Sequence, residues 1–320
     1  MSPILVAVDF SVSSLNAANF ATDLALSVQT KVVLVHIIEI PPSPFPVPLT
    51  EYEFDALKTS SQESLSDLKR HLELRSDQKI EIATDIRYGT IAIRLEDCIL
   101  EHKPMLLVMG KKGRTAMARV IMGSHSVRAI QQASCPVLVV PEDSSFAGIH
   151  HIAIASDLKQ VTDNNSYASI RQILKLFHIS PEIIHVNQGH SGFEGMDKGL
   201  SSLQTYFGDS RPSFHFIQKN NIGEGVLEFL GTHKTDMLVV MPEKHGLLDT
   251  LFKSSHSISI IQHTHLPVLS VAAEGINNII DIEARDQEVS THHSCAVCNG
   301  ACASKQKKED NLIDQTHWAL

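Results

Sequence analysis

The sequence lacks the features that define several classes of protein. No uninterrupted apolar run approaches the roughly 18 residues of a membrane-spanning helix, and the N-terminus has no basic segment, apolar core and small-residue cleavage site. Basic residues are also in the minority, with 27 Lys and Arg against 36 Asp and Glu and a formal net charge of −9. These absences predict a soluble, cytoplasmic protein with no membrane partner and no nucleic-acid partner.

Cysteines are few and unevenly placed. Of the five, Cys98 and Cys135 are isolated, and the other three cluster near the end of the chain. This is not the spread-out framework of a disulfide-rich secreted domain. The distribution fits a reducing compartment.

Motifs of familiar enzyme classes are missing as well. The chain has no Gly-x4-Gly-Lys-Ser/Thr loop and no His-Glu-x2-His, "IGEGVLE" lacks the third glycine of a dinucleotide fingerprint, and "GHSGF" has the wrong spacing for a nucleophile elbow. We therefore assign no catalytic residue from the sequence.

An internal repeat organises the 320 residues. The segments "MLLVMGKKGRTAMARVIMGSHSVRAIQQASCPVLVV" and "DMLVVMPEKHGLLDTLFKSSHSISIIQHTHLPVLSV" align without a gap, and Pro136 pairs with Pro267 at an offset of 131. Near the start of the copies Asp9 pairs with Asp157 at an offset of 148, so the second copy has lost about 17 residues. The repeat predicts two domains, 1–143 and 149–273, and a tail, 274–320.

Each copy alternates apolar runs of strand length with segments of helical periodicity. The runs "PILVAVD" and "KVVLVHII" are continuous and β-branched, as a parallel sheet covered on both faces requires. The alternation predicts a doubly wound α/β sheet, in which ligands bind beyond the carboxyl ends of strands where the strand order reverses. The other elements predicted in the first copy are helices over 13–28, 53–74, 91–103 and 124–134, and strands over 79–89, 105–110 and 136–141.

Three glycines in "MGKKGRTAMARVIMGSHS" stand where a phosphate loop would lie in such a fold. Gly110 closes a strand, Gly113 follows it closely, and Gly123 with Ser124 precedes a helix. Backbone without Cβ atoms can approach an anion, and a helix N-terminus with a serine hydroxyl suits phosphate oxygens. On the residues alone, a turn followed by an N-cap is the alternative. The neighbouring cations allow the same two interpretations, phosphate contacts or a solvated turn, and they are Lys111, Lys112 and Arg114.

The pattern Gly110-x2-Gly113-x9-Gly123-Ser124, between "LLVMG" and "CPVLVV", resembles the nucleotide signature of the universal stress protein family. The tandem arrangement resembles the two-domain members of that family, and the resemblance covers about residues 1–273. It implies two Rossmann-like domains of the adenine nucleotide alpha hydrolase-like type, with parallel sheets flanked by helices.

The resemblance also implies a bound ATP, with or without magnesium. Asp9 is expected to face the nucleotide directly or through a cation, and Ile37 to line the base pocket. Carried over by position, the implied ATP-binding residues are Val8, Asp9, Ile37, Met109, Gly110, Gly113, Gly123 and Ser124.

The second copy departs from this pattern at every glycine. Met241, Lys244 and Ser254 stand at the matching positions, and only Ser255 is retained. We therefore expect the second domain to support the first rather than to bind ATP in the same way. In the family the last strand pairs with that of a partner. Here 136–140 can pair with 267–271 within one chain as an intrachain pseudo-dimer, and a homodimer stays open.

The tail belongs to neither copy and gathers His292, His293, Cys295, Cys298 and Cys302. Cys-x2-Cys-x3-Cys places three thiols on one helical face, and a neighbouring histidine could complete a zinc site. Copper(I) or an iron–sulfur cluster would suit the same thiolates. The alternative is an extension without fixed structure that carries reactive thiols.

Two classes of function follow from these patterns. The first is an ATP-binding stress-response protein, scarcely catalytic, whose nucleotide state biases binding to an unknown protein partner. The second is a slow ATP hydrolase or phosphotransferase, which would need a base to position the attacking group, and Asp9 is the one candidate near the loop. A metal or redox sensor acting through the tail is a third interpretation.

Overall fold

The computed structural model describes residues 2–39, 51–111, 133–158, 164–187, 196–241 and 256–271. Both copies of the repeat belong to one compact unit, Met1–Gly275. A second unit, Ile276–Leu320, lies outside the described residues.

The first copy folds as alternating strands and helices. Every element predicted above within the described residues is present, with boundaries that differ by at most three residues; residues 124–132 of the helix predicted over 124–134 lie outside them. In chain order the elements are β1 (Ile4–Ala7), α1 (Val12–Ser27), β2 (Val32–Ile38), α2 (Glu51–Arg75), β3 (Ile82–Tyr88), α3 (Ile91–His102), β4 (Leu106–Lys111) and β5 (Val137–Pro141).

The second copy repeats this order, which confirms the repeat read from the sequence. Its helix α5, the counterpart of α2, is shorter, 12 residues against 25. The elements are β6 (Ile152–Ala155), α4 (Asn164–Phe177), β7 (Glu182–Asn187), α5 (Met196–Phe207), a 3₁₀ turn (Gly208–Ser210), β8 (Ser213–Gln218), α6 (Ile222–Thr232), β9 (Met237–Val240), α7 (His256–His263) and β10 (Val268–Ser270).

The ten strands of the described residues form one sheet in the order β3-β2-β1-β4-β5-β10-β9-β6-β7-β8. Within each half the described strands pair in parallel, as strands joined by helical crossovers do. The halves meet at β5 and β10, which are antiparallel with Leu269 opposite Leu138. The predicted pairing of 136–140 with 267–271 is therefore confirmed.

Apolar residues cover both faces of the sheet. In β1, Val6 faces the layer that contains α1 and α2, and Leu5 faces the layer that contains α3. Helix α2 buries Leu65, Leu68 and Leu72, which share one side because they are three and four residues apart. Burying each such side chain stabilises the fold by about 1.5–3 kcal/mol. The predicted doubly wound α/β class is confirmed.

Candidate functional site

The strand order reverses between β1 and β4. From β1 the chain moves outward to β2 and β3, whereas β4 leads to β5 on the other side. At such a point the connections leave in opposite directions, and a crevice opens beyond the carboxyl ends of the two strands. Val6 pairs with Val108, so Val8 and Gly110 stand level with each other two residues further on.

Five of the eight residues implied to bind ATP lie at this edge of the sheet. They occupy the ends of β1, β2 and β4, and they are Val8, Asp9, Ile37, Met109 and Gly110. The other three, Gly113, Gly123 and Ser124, fall outside the described residues.

Asp9 follows the end of β1, and its carboxylate is exposed at this edge of the sheet. Its Oδ1 accepts hydrogen bonds from the backbone N–H of Ser11 at 3.0 Å and from the Ser11 hydroxyl at 2.5 Å. Partial burial acts to raise the pKa of the Asp9 carboxyl, but these bonds, with further ones from Ser14 and the backbone, lower the pKa overall. Asp9 is therefore an exposed, ionised group held in a fixed orientation. Both Ser11 bonds are made to the same carboxylate oxygen, Oδ1.

The first turn of α1 reaches the same crevice. Ser11 is the N-cap, and its side chain accepts a hydrogen bond from the N–H of Ser14 at 3.3 Å. The positive end of the helix dipole therefore lies beside the end of β4, where an anion would be favoured. The sequence predicts a helix from residue 13, but the sequence reasoning did not place the N-terminus of this helix at the candidate site.

Gly110 is explained by the packing of α1. A Cβ on Gly110 would collide with the carbonyl of Ser13 and would lie 2.7 Å from the backbone nitrogen of Ser14. Gly110 allows a close approach of the α1 backbone, and its contact with an anion stays a prediction. An anion would have to approach from another side.

Lys111 contacts the second half of the chain. Its Nζ donates a hydrogen bond of 2.7 Å to the carbonyl of Thr264, at the end of α7. Burial lowers the pKa of Lys111 to about 8, against the opposing effect of Asp143. In this arrangement the ammonium joins the two halves, and the interpretation of Lys111 as a phosphate contact gains no support. Lys112 and Arg114 lie outside the described residues.

His36 is a residue at this edge that the sequence reasoning did not single out. Its Nδ1 lies 2.7 Å from the carbonyl oxygen of Val8, and its ring packs against Phe10 with centroids 4.6 Å apart. Phe10 has a left-handed conformation with φ of 61°. The half-buried imidazole therefore braces the turn that carries Asp9.

The second half shares this turn but covers it differently. Leu158, the counterpart of Phe10, also has a positive φ, 55°, and His185 Nδ1 lies 3.0 Å from the carbonyl of Ser156. Here the backbone of α5 lies directly on the turn, since a Cβ on Gly199 would collide with the Leu158 carbonyl. Leu158 is 2% exposed as a result. Together with Met241 in the place of Gly110, this packing supports the expectation that the second half differs from the first.

The remaining candidate groups do not form a site in the described part of the chain. Cys98 and Cys135 are free thiols, and burial raises the pKa of each to about 12, so neither is an activated nucleophile. Among the described residues, no three His, Cys, Asp or Glu side chains are grouped as a metal site requires. The five tail residues, His292, His293, Cys295, Cys298 and Cys302, lie outside the described residues. No helix in the described ranges is long and apolar enough to cross a membrane.

Comparisons with known proteins agree with this architecture. Residues 1–141 match the model of the universal stress protein family. A universal stress protein of Methanocaldococcus jannaschii is 31% identical over 141 residues, which cover 43% of this chain and 80% of the relative. One of Mycobacterium tuberculosis is 26% identical over 148 residues, covering 44% of this chain and 48% of that longer relative.

A solved structure resembles both halves of the chain. The crystal structure of a universal stress protein from Archaeoglobus fulgidus superposes with a TM-score of 0.69 and covers 85% of this chain and 99% of its own. At 14% identity this likeness establishes the fold alone. The α/β fold with a switch-point crevice and the sequence match over the first half define the class, and this chain belongs to the universal stress protein family.

Proposed function

We propose that the chain binds one ATP, with or without magnesium, at the switch point of its first half. The observation that carries this proposal is the meeting of Asp9, the end of β4 and the N-terminus of α1 at one crevice. The helix N-terminus suits phosphate oxygens, and the exposed carboxylate suits a ribose hydroxyl or a bridging magnesium ion. The proposed ligands are Val8, Asp9, Ile37, Met109, Gly110, Gly113, Gly123 and Ser124.

Titration calorimetry with ATP tests the number and position of sites. We expect about one ATP per chain, and we expect binding to be lost in Gly123→Val, whose side chain would stand where phosphate lies. Asp9→Ala should weaken binding, because it removes the carboxylate held by Ser11. Asp157→Ala is the matched control, since Asp157 is the counterpart of Asp9 in the second half. Two equal sites, or equal losses in both Asp variants, would contradict the proposal.

We further propose that the bound nucleotide regulates partner binding in a cytoplasmic stress response and is turned over slowly at most. Asp9 is the candidate base that the sequence offers near the glycine loop, and Ser11 already engages its carboxylate. ATP should raise the thermal unfolding midpoint by mass action while phosphate release stays near background. Steady phosphate release that is lost in Asp9→Ala, with ATP still bound, would favour a hydrolase instead.

The role of the nucleotide in partner binding can be measured with a nonbinding variant. Chemical cross-linking in cell extract, followed by mass spectrometry, should give partners whose yield differs between ATP-loaded and nucleotide-stripped protein. The Gly123→Val variant should give the nucleotide-stripped pattern under both conditions. Identical patterns in all samples would remove the regulatory part of the proposal and leave ATP binding itself unaffected.

A further inference from the structure

The hydrogen-bond ladder between β1 and β2 stops one step before its regular end. The N–H of Val8 still donates to the carbonyl of Val35 at 2.8 Å. In a regular parallel ladder the next bond would run from the N–H of Ile37 to the carbonyl of Val8. Instead His36 Nδ1 lies 2.7 Å from that carbonyl. A carbonyl can only accept, so Nδ1 carries the hydrogen and donates it.

The peptide groups of Ile37 are left without their regular partners. Along β2 the N–H of Val32 bonds to Glu81 on the β3 side, so the N–H and C=O of Ile37, five residues on, point towards β1. The left-handed conformation of Phe10 turns the chain away before its N–H could reach the Ile37 carbonyl. Within the described residues, no backbone hydrogen bond to β1 uses either group of Ile37.

The imidazole is held in place for this role. Its ring rests against Phe10 at 4.6 Å, with the two planes inclined by 43°. A histidine also stands in for a ladder bond in the second half, where Nδ1 of His185 lies within hydrogen-bonding distance of the Ser156 carbonyl oxygen. The chain therefore contains two copies of one arrangement, and in the second copy α5 lies over the turn.

We propose that His36 is a positioning residue for the base of the nucleotide. By engaging the Val8 carbonyl it keeps the N–H and C=O of Ile37 free at the crevice, where they can bind a ligand with an adjacent acceptor and donor, such as the N1 and N6 edge of adenine. This inference rests on the proposed function. Replacing His36 with a residue that cannot donate lets Ile37 extend the ladder to Val8, and the base loses its partner.

The test compares ATP with inorganic tripolyphosphate, a probe that has no base. His36→Phe keeps a ring against Phe10 but removes the hydrogen-bond donor. We expect this variant to bind ATP about tenfold more weakly, which corresponds to the loss of one hydrogen bond, and to bind tripolyphosphate with unchanged affinity. His36→Asn places an amide N–H near the position of Nδ1 and should restore most of the ATP affinity. The matched control, His185→Phe, should leave the affinity for ATP unchanged. Equal losses for the two probes, or equal effects of the Phe variants at 36 and 185, would overturn the inference.

Amide hydrogen exchange tests the same inference without a ligand. The Ile37 amide should exchange freely in the ligand-free wild type and become protected in His36→Phe, because the ladder then gains a bond. If the wild type binds neither probe, the proposed function fails, and the exchange result alone decides the role of His36. A protected Ile37 amide in the wild type would refute that role.

Discussion

Replacing Lys111 by methionine measures the effect of burying an ammonium where the two halves of the chain meet. Burial lowers the pKa of Lys111 from its ordinary value of 10.5 to about 8. Between these values the unfolded chain binds more protons than the folded protein, so this lysine makes wild-type stability rise with pH. The full shift corresponds to about 3.4 kcal/mol. Partial contact of the ammonium with solvent reduces this contribution to the free energy of unfolding to about 1–2 kcal/mol. About 1 kcal/mol of it appears between pH 7 and 9.5.

Urea unfolding at pH 7, 8.5 and 9.5 provides the assay. The stability of the wild type minus that of Lys111→Met should increase by about 1 kcal/mol over this range, because only the wild type loses the buried charge. Lys31→Met, at a lysine whose side chain is exposed, is the control against which the pH dependence of Lys111→Met is compared. Parallel profiles for the wild type and Lys111→Met would refute the argument, since the ammonium would then be as well solvated in the folded protein as in the unfolded chain.

Four substitutions test packing and hydrogen bonds by urea unfolding. Gly199→Ala should destabilise the folded protein by about 1–3 kcal/mol, because the added Cβ meets the Leu158 carbonyl. Gly231→Ala, in open space within α6, is its control and should stabilise the fold by about 0.5–1 kcal/mol. Similar effects of the two variants would contradict the contact between Gly199 and Leu158. Gly110→Ala should cost about 1–3 kcal/mol by pushing the first turn of α1 outward, and an unchanged midpoint would show that the turn yields freely. Asn16→Ala removes bonds of 2.9 and 2.8 Å to the Pro141 and Ser144 carbonyls and should cost about 1–3 kcal/mol; no loss would mean that water replaces them.

Local patterns were enough to predict the secondary structure, and the family resemblance predicted how the halves join. Continuous β-branched runs specify buried parallel strands, and the spacing of Leu65, Leu68 and Leu72 specifies one face of a helix. The gap-free alignment identified 136–140 and 267–271 as the final strand of each copy, and the resemblance implied that they pair, which satisfies both strand edges at once.

Interactions between distant residues could not be predicted in this way. Lys111 lies in a charge run beside the glycines, which suggests a role at the loop, yet its partner Thr264 is 153 residues away. Gly110 matches a phosphate motif, but the Cβ space is taken by Ser13, a contact that only the packing of α1 on β4 creates. In the sequence His36 is a polar residue that interrupts an apolar strand, and only its contact with the Val8 carbonyl in the folded protein explains it. Each case depends on which elements become neighbours in space.

The antiparallel junction of β5 and β10 has a consequence for the time course of synthesis. Strand β5 consists of Val137–Pro141 and is buried throughout, but its neighbour Val268–Ser270 is translated about 130 residues later. At about 5–20 residues per second, the first half waits roughly 7–26 s on the ribosome with an apolar strand edge unpaired. During that interval a neighbouring nascent chain of the same polysome presents the same edge. The order of translation thus makes the first half a temporary target for chaperones and for association between copies, a risk that ends when β10 emerges.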